Sequence, residues 1–196
     1  MKKKVLLGIV IALSALLLWS VSDISISKPS PVQKEVKAAD KEFKEGDILF
    51  QISKSNQSPL IQLGTMSKWS HCGVVIEKGD KLYVLEASNV VKLTPIKEWI
   101  ARGRGGVYHK RRVFDEEVKI KYKQYLGIPY DLAFKFDNGK YYCSELVYVV
   151  YRDQLGKELC KPKKVRDYYF VGRMKSTMKR RNIELDQEVV APCDLL

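Results

Sequence analysis

Histidine is scarce in this chain, and the sequence patterns of zinc sites, RNA-binding strands and internal repeats are missing from it. The 196 residues contain two histidines and four cysteines, and their spacing does not match a zinc site. Basic residues do not alternate with aromatic ones as in an RNA-binding strand, and no internal repeat occurs. These absences argue against nucleic-acid binding and against a metal or organic cofactor. They also leave few candidates for a catalytic base.

The amino terminus has the pattern of an export segment. Lysines at positions 2 to 4 precede the apolar run from Val5 to Val21, which predicts that residues 1–22 are a secretory signal peptide or an uncleaved membrane anchor. Both interpretations export the domain to the periplasm, the extracellular space or the outer side of the cytoplasmic membrane. No cysteine follows the run, so a lipoprotein anchor is not expected. Residues 23–44 read as a flexible linker and 45–196 as the catalytic domain.

The charge of the chain is strongly basic, with a formal net charge of +12. An excess of this size favours anionic partners such as cell-wall polymer or lipid headgroups. A merely solubilising surface explains the same charge, and the sequence leaves both interpretations open.

Hydrophobic periodicity predicts an α+β fold, in which helices pack on a small antiparallel sheet. The chain has 45% hydrophobic residues, which suits one globular domain. The expected strands are 46–52, 69–76, 81–87, 90–93 and 105–114, and the expected helices are 60–66, a short one from Thr94-Pro95, 115–126 and 142–155.

A hairpin links one of the two histidines to a carboxylate. With a two-residue loop at Lys78-Gly79, His71 lies opposite Glu86, and with a loop at Gly79-Asp80 it lies one diagonal step away. Either register puts both side chains on one face of the sheet, within reach of a hydrogen bond. A Glu at a strand end in water is the alternative. His109 has basic neighbours that disfavour its charged form, and it is expected at the surface.

Cys143 is the candidate nucleophile. It stands where a loop leads into an apolar helix, so the amides and the dipole of the helix N-terminus favour its thiolate. Cys72 follows His71 directly and points to the opposite face of the strand, so it is expected in the core. Cys160 and Cys193 lie near the carboxyl terminus and could pair in an exported protein, which the sequence leaves open.

Cys143, His71 and Glu86 would then act as nucleophile, base and orienting group. In this hypothesis the Cys143 thiolate attacks a carbonyl, and His71 holds the proton and returns it to the leaving amine. Glu86 would fix the tautomer of the imidazole. Water would resolve the thioacyl enzyme.

The motifs that carry these residues resemble a known family. Gly46-Asp47-Ile48-Leu49-Phe50-Gln51, Ser70-His71-Cys72-Gly73-Val74-Val75, Leu85-Glu86-Ala87 and Tyr142-Cys143-Ser144-Glu145-Leu146-Val147 resemble the permuted papain-like amidases of the YiiX/YaeF type, within the NlpC/P60 superfamily. In most papain-like enzymes Cys precedes His in the chain, and the reversed order here suits a circular permutation. The resemblance implies a papain-like α+β fold, a Cys-His-polar triad, and amide, peptide or lipid-acyl substrates.

Three functions follow as expectations. The first is an exported cysteine amidase or peptidase that acts on peptides or amides, with peptidoglycan as one candidate substrate. The second is a lipid acyl hydrolase or acyltransferase with the same triad, for which membrane association through the N-terminal segment would be an argument. The third is a wall-binding module without catalysis, against which the complete triad argues.

Overall fold

The computed structural model describes residues 42–169 and 171–196. The predicted signal or anchor at 1–22, and nearly all of the predicted linker at 23–44, lie outside these residues. Among the residues that are described, none belongs to a helix long and apolar enough to cross a membrane.

A five-stranded antiparallel sheet forms the centre of the domain. Its strands are β1 (Ile48–Gln51), β2 (His71–Lys78), β3 (Lys81–Ala87), β4 (Val91–Pro95) and β5 (Tyr108–Arg111). Their order across the sheet is β4-β3-β2-β1-β5. The β2–β3 and β3–β4 pairs are hairpins of neighbouring segments, whereas β5 returns to pair with β1 at the far edge.

Four helices accompany the sheet in the described residues: α1 (Ser58–Thr65), α2 (Ile96–Arg102), α3 (Cys143–Gln154) and α4 (Lys175–Arg181). A two-stranded ribbon of β6 (Lys163–Lys164) and β7 (Glu188–Val189) lies in the carboxyl-terminal part. Helix α1 begins with Pro59 in its first turn, where a missing N–H costs no hydrogen bond. The fold is α+β with a small antiparallel sheet, as the sequence predicts.

Side chains alternate between two apolar layers because successive residues of a strand point to opposite faces. On one face, Cys72 and Val74 of β2 pack with Leu146 and Val147 of α3 in the larger core cluster. On the other face, Leu49, Val75, Val84 and Trp99 form a second cluster. His71 and Glu86 have the same parity as Val75 and Val84 and thus belong to the face covered by α2.

The helix expected over residues 115–126 does not form. The structure has only a 3-10 turn there, at Tyr122–Tyr125. The backbone N–H of Ile120 donates to the Glu45 carboxylate at 2.8 Å, and that of Lys121 donates to the Gln154 side chain at 2.7 Å. These tertiary bonds take the N–H groups that a helix would use, which overrides the apolar periodicity of the segment.

Candidate active site

The β2–β3 hairpin sets the positions of the two site residues on the sheet. Lys78 pairs with Lys81, so the loop is Gly79-Asp80, the second of the two expected registers. Continued along the strands, this register puts Glu86 beside Gly73, diagonal to His71. A Cβ atom at Gly73 would come within 2.7 Å of the Leu85 carbonyl oxygen and 3.4 Å of the Glu86 Cβ. Glycine is therefore required here for the close approach of the two strands.

Glu86 is fully buried and is the acceptor of a converging set of hydrogen bonds. Its Oε2 lies 2.6 Å from His71 Nε2 and 3.1 Å from the Trp99 indole nitrogen. Its Oε1 accepts from the Thr94 hydroxyl at 2.6 Å, and the Arg102 guanidinium also donates to Oε2. Strand β4 and helix α2 thus supply the donors that allow a carboxylate to exist in the interior.

The charges of this pair are stabilised in the folded protein. Burial alone would raise the pKa of Glu86, but His71, Arg102 and Thr94 together lower it to about 2. Burial would likewise lower the pKa of His71, but contacts with Cys143 and Glu86 raise it to about 9. At neutral pH His71 is consequently an imidazolium and Glu86 a carboxylate.

Cys143 is the first residue of α3, so its sulfur lies at the N-terminal end of that helix. The first backbone N–H groups of a helix have no acceptor within the helix. Two hydrogen bonds fix this end to the carboxyl-terminal segment: the Ser144 hydroxyl donates to the Val190 carbonyl at 2.7 Å, and the Val190 N–H donates to the Tyr142 hydroxyl oxygen at 3.1 Å. Cys143 itself is 2% exposed.

The Cys143 thiol is poised to ionise. Its pKa lies well below the ordinary value because the Cys72 thiol and then the His71 imidazole hydrogen-bond to it, which together outweigh burial. Burial first, and the same contact second, raise the pKa of Cys72 well above its ordinary value. The Tyr130 phenol also contacts Cys143, and its pKa is raised well above the ordinary range by burial first and by that contact second. A thiolate at Cys143 beside an imidazolium at His71 is the favoured arrangement.

The structure brings the three predicted site residues together and places the second histidine elsewhere. His109 is exposed on β5, packed near Phe50 and Trp69. Cys72 is in the core, as its strand parity predicts, but it also contacts Cys143, which the sequence argument did not anticipate. Cys160 and Cys193, whose pairing the sequence leaves open, are free and partly buried thiols in the structure.

Sequence reasoning missed four polar groups that surround the site: Thr94, Trp99, Arg102 and Tyr130. The first three lie on β4 and α2, whose packing against β3 is a tertiary property. Because burying an unpaired carboxylate among apolar residues costs free energy, the sequence does indicate that Glu86 has hydrogen-bond donors. It does not indicate which residues they are.

Two cavities open beside the Cys143–His71 pair. The first is apolar: Cys143 lines it together with side chains from α1 and the carboxyl-terminal segment, among them Leu60, Met174, Met178, Ile183 and Val189. The second is polar: His71 lines it together with Lys54, Lys92 and Arg102. Ile61 and Tyr130 border both cavities.

Comparison with known proteins identifies the family. Residues 42–196 match the family described as permuted papain-like amidase enzyme, YaeF/YiiX, C92 family. The chain belongs to this family. The match includes the motifs around His71, Glu86 and Cys143, and it confirms the fold and family inferred from the sequence. At the level of the family, the protein is a papain-like cysteine amidase or peptidase.

Two relatives agree with this assignment. The chain is 40% identical over 158 residues to the protein YiiX of Escherichia coli strain K12, an uncharacterized protein, with 75% of this chain and 78% of YiiX covered. It also matches the crystal structure of YiiX from Escherichia coli O157:H7, described as a metalloprotein, with a TM-score of 0.71 and 38% identity over 78% of this chain and 91% of that one. In residues 42–169 and 171–196, no three His, Cys, Asp or Glu side chains cluster as a metal site would require.

Proposed function

We propose that this protein is a cysteine hydrolase that cleaves an amide bond through a thioacyl enzyme, with Cys143 as nucleophile, His71 as general base and acid, and Glu86 as the orienting carboxylate. One observation carries the proposal: the three groups form an unbroken series of contacts from the thiol to the buried carboxylate. Such a series is the arrangement that nucleophilic acyl transfer requires.

The first step uses the ion pair directly. The Cys143 thiolate attacks the carbonyl carbon of the substrate, and a carbon–sulfur bond forms. As the carbon–nitrogen bond breaks, the His71 imidazolium gives its proton to the leaving amine. Glu86 holds the protonated ring through Nε2, so the other ring nitrogen is directed to the reacting atoms.

The second step returns the enzyme to its resting state. Water attacks the thioester carbon, and neutral His71 takes one proton from that water. The carbon–sulfur bond breaks, the acid leaves, and Cys143 is again a thiolate beside an imidazolium. The sum of both steps is an amide plus water giving an acid and an amine.

The negative charge that develops on the carbonyl oxygen needs donors. The N-terminal amides of α3 are suited to this because Cys143 itself begins the helix and the dipole points toward the sulfur. The Tyr130 hydroxyl, in contact with Cys143, is a second donor at the same place.

Activity outside the cytoplasmic membrane is part of the proposal. It is supported by the lysine-initiated apolar run at the amino terminus and by the net charge of +12, which suits an anionic envelope. Localisation of a tagged full-length chain by fractionation, with and without residues 1–22, tests it. Retention of the full-length chain in the cytoplasm would contradict it.

A lipid acyl hydrolase or acyltransferase is the second candidate, because the same three residues serve an ester as well as an amide. The apolar cavity at Cys143 is the observation in its favour. The two candidates differ in their products, which are amine from peptidoglycan fragments in one case and fatty acid from phospholipid in the other.

The test measures these products with the full-length protein and its Cys143→Ala, His71→Ala and Cys160→Ala variants. We expect product release to fall by at least about 10³-fold in the first two variants and to remain in Cys160→Ala. The acylated Cys143 peptide should appear by mass spectrometry in a rapidly quenched reaction. Full activity without Cys143, or binding to cell wall with no product from any substrate, would overturn the proposal.

A further inference from the structure

The basic charge of this protein is concentrated in two segments that contain no acidic residue. Residues 48–76, which include α1, have no Asp or Glu, and neither do residues 168–183, which include α4. Together the two segments hold seven Lys and Arg, more than half of the formal net charge of +12. Positive charge without interspersed carboxylates attracts anionic partners over the distance of a Debye length.

Helices α1 and α4 lie side by side and antiparallel. At one end, the Arg181 guanidinium donates to the side-chain oxygen of Gln57 at 2.9 Å. At the other end, a Cβ atom at Gly64 would lie 3.1 Å from the Met174 methyl carbon, and the Tyr169 backbone N–H donates to the Gly64 carbonyl at 2.8 Å. The two acid-free segments therefore form one continuous surface.

The outer side of α1 is apolar. Pro59, Leu63 and Met66 are exposed at spacings of four and three residues, which places them on one side of the helix. Leu63 is 39% exposed and Met66 is 62% exposed, and Tyr169, bonded to the end of the same helix, is also 62% exposed. Single exposed apolar residues are ordinary, but neighbouring ones of this size mark an interaction surface.

The outer side of α4 is basic. Lys175 and Lys179 are exposed one turn apart, with Arg180 exposed beside them, while Met178 is buried. Arg180 donates to the Thr177 hydroxyl at 3.2 Å. Within residues 42–169 and 171–196, none of these three cations takes part in an ion pair. Their charge is available to a partner.

The exposed residues of the two helices and of Tyr169 are called the α1–α4 face: Leu63, Met66, Tyr169, Lys175, Lys179 and Arg180. We propose that the α1–α4 face docks on the surface of a bilayer that contains anionic lipids. Its cations suit the headgroups, and its apolar side chains suit the boundary below them. A dissolved anionic polymer would pair with the cations but would leave the apolar side chains in water, so the combination favours a bilayer.

The binding test must exclude the apolar run at the amino terminus, which would itself enter vesicles. Every protein is therefore the full-length chain with Val10→Asp/Leu13→Asp/Leu17→Asp, called the parent. Sedimentation with vesicles of phosphatidylcholine, alone or with about 30% phosphatidylglycerol, measures partitioning at about 0.1 M salt. We expect the parent to partition at least about tenfold more strongly to the anionic vesicles.

Charge reversal tests the basic half of the face. The variant Lys175→Glu/Lys179→Glu/Arg180→Glu should lose about tenfold or more in partitioning to anionic vesicles. Helix propensity is little affected, because Glu, Lys and Arg are similar helix formers. The matched control is the same charge change at three exposed lysines outside both segments, Lys81, Lys97 and Lys123, and it should stay within about threefold of the parent. Urea denaturation verifies that both variants fold.

Polar substitution tests the apolar half. In Leu63→Gln/Met66→Asn/Tyr169→Ser, Asn is chosen because residue 66 has a φ of 51°, a conformation that Asn adopts readily. We expect about a tenfold loss on anionic vesicles and little change in binding to polyphosphate, a dissolved anionic polymer. Glutamine at three exposed apolar positions elsewhere, Val107, Leu126 and Leu132, is the control and should bind vesicles like the parent.

Three outcomes would overturn the proposal. The first is equal partitioning of the parent to neutral and anionic vesicles, and the second is unchanged binding after charge reversal of the face. The third is unchanged vesicle binding after polar substitution, which would make the face a site for anionic polymers. None of these measurements uses the reaction at Cys143, so the membrane surface and the proposed function stand or fall separately.

Discussion

Two fully buried carboxyl groups in this molecule differ in charge at neutral pH: one is a carboxylate and the other is mostly protonated. Glu86 on β3 and Glu145 in the first turn of α3 are both 0% exposed, yet the pKa of Glu86 is lowered to about 2 and that of Glu145 is raised to about 8. Burial raises the pKa of each. The difference comes from their partners.

The partners differ in number and in charge. Glu86 receives hydrogen bonds from His71, Thr94, Trp99 and Arg102. Glu145 accepts the backbone N–H of Tyr142 at 3.3 Å, and its Oε1 has no hydrogen-bond partner among the described residues. The charges of Asp131 and Asp137 add to burial in raising its pKa. The site therefore keeps a negative charge beside His71 and a neutral acid two residues after Cys143. Environments that shift the pKa values of two buried acids in opposite directions let the fold keep charge at one position and exclude it from the other.

Removal of the Glu86 carboxylate should have the largest effect. Glu86→Ala leaves Arg102, Thr94 and the Trp99 N–H without their buried acceptor, and we expect a loss of about 3 kcal/mol in the free energy of unfolding. Urea denaturation measures this, with Glu98→Ala on the exposed side of α2 as the control. Equal stabilities of the two variants would show that the buried network does not stabilise the fold.

A subtler change tests the charge of Glu86 alone. Glu86→Gln keeps the shape but removes the charge, so we expect the pKa of His71 to fall from about 9 by about one to two units. Titration of the imidazole resonances by NMR measures it, and because the chain has two histidines, His109 is an internal reference. An unchanged His71 titration would mean that Glu86 does not hold the imidazolium.

The contribution of Glu145 to the free energy of unfolding should depend on pH in the opposite direction to that of Glu86. A carboxyl whose pKa is higher in the folded state favours folding when it is protonated, so this contribution is complete below pH 4.5 and is lost as the pH rises toward 8. Glu145→Gln should therefore gain stability relative to the wild type over this interval, by on the order of 2 kcal/mol. Thermal unfolding at pH 5 and pH 8 measures the difference. A constant offset between the two proteins at both pH values would refute the neutral-acid assignment.

The smallest effect is expected at Thr94. Thr94→Val removes one of several donors to Glu86, which should cost about 1 kcal/mol of stability. Hydrolysis should remain within about threefold of the wild type, because the His71–Glu86 contact is retained. Denaturation and kcat/KM are measured together. A loss of activity as large as that in His71→Ala would show that Thr94 has a direct part in the reaction.

The sequence alone predicts where His71, Glu86 and Cys143 lie, but not which residues donate hydrogen bonds to Glu86. Strand parity and a two-residue loop place His71 and Glu86 on one face whichever loop is chosen, and the loop-to-helix transition places Cys143 at a helix start. These are local properties, which hydrophobic periodicity records. Thr94, Trp99 and Arg102 could not be assigned, because which face of α2 meets the sheet depends on packing between segments that are distant in sequence.

The other features that the sequence did not predict also depend on contacts between segments distant in the chain. The apolar spacing of residues 115–126 suits a helix, but the carboxylate of Glu45 and the amide of Gln154 bind its backbone instead. The apolar cavity is formed when residues beyond Val165 pack against α1 and the start of α3. That segment has little periodicity of its own, so the cavity is not visible in the sequence.

The central claim is that Cys143 is a thiolate held by His71 at neutral pH. The rate of alkylation of each cysteine by iodoacetamide, followed by mass spectrometry from pH 5 to pH 10, tests it most directly. The account predicts that the rate at Cys143 is nearly constant between about pH 6 and 8, whereas the rates at the other three cysteines rise about tenfold per pH unit. A Cys143 rate that climbs in parallel with the others toward pH 9, unchanged by His71→Ala, would contradict it.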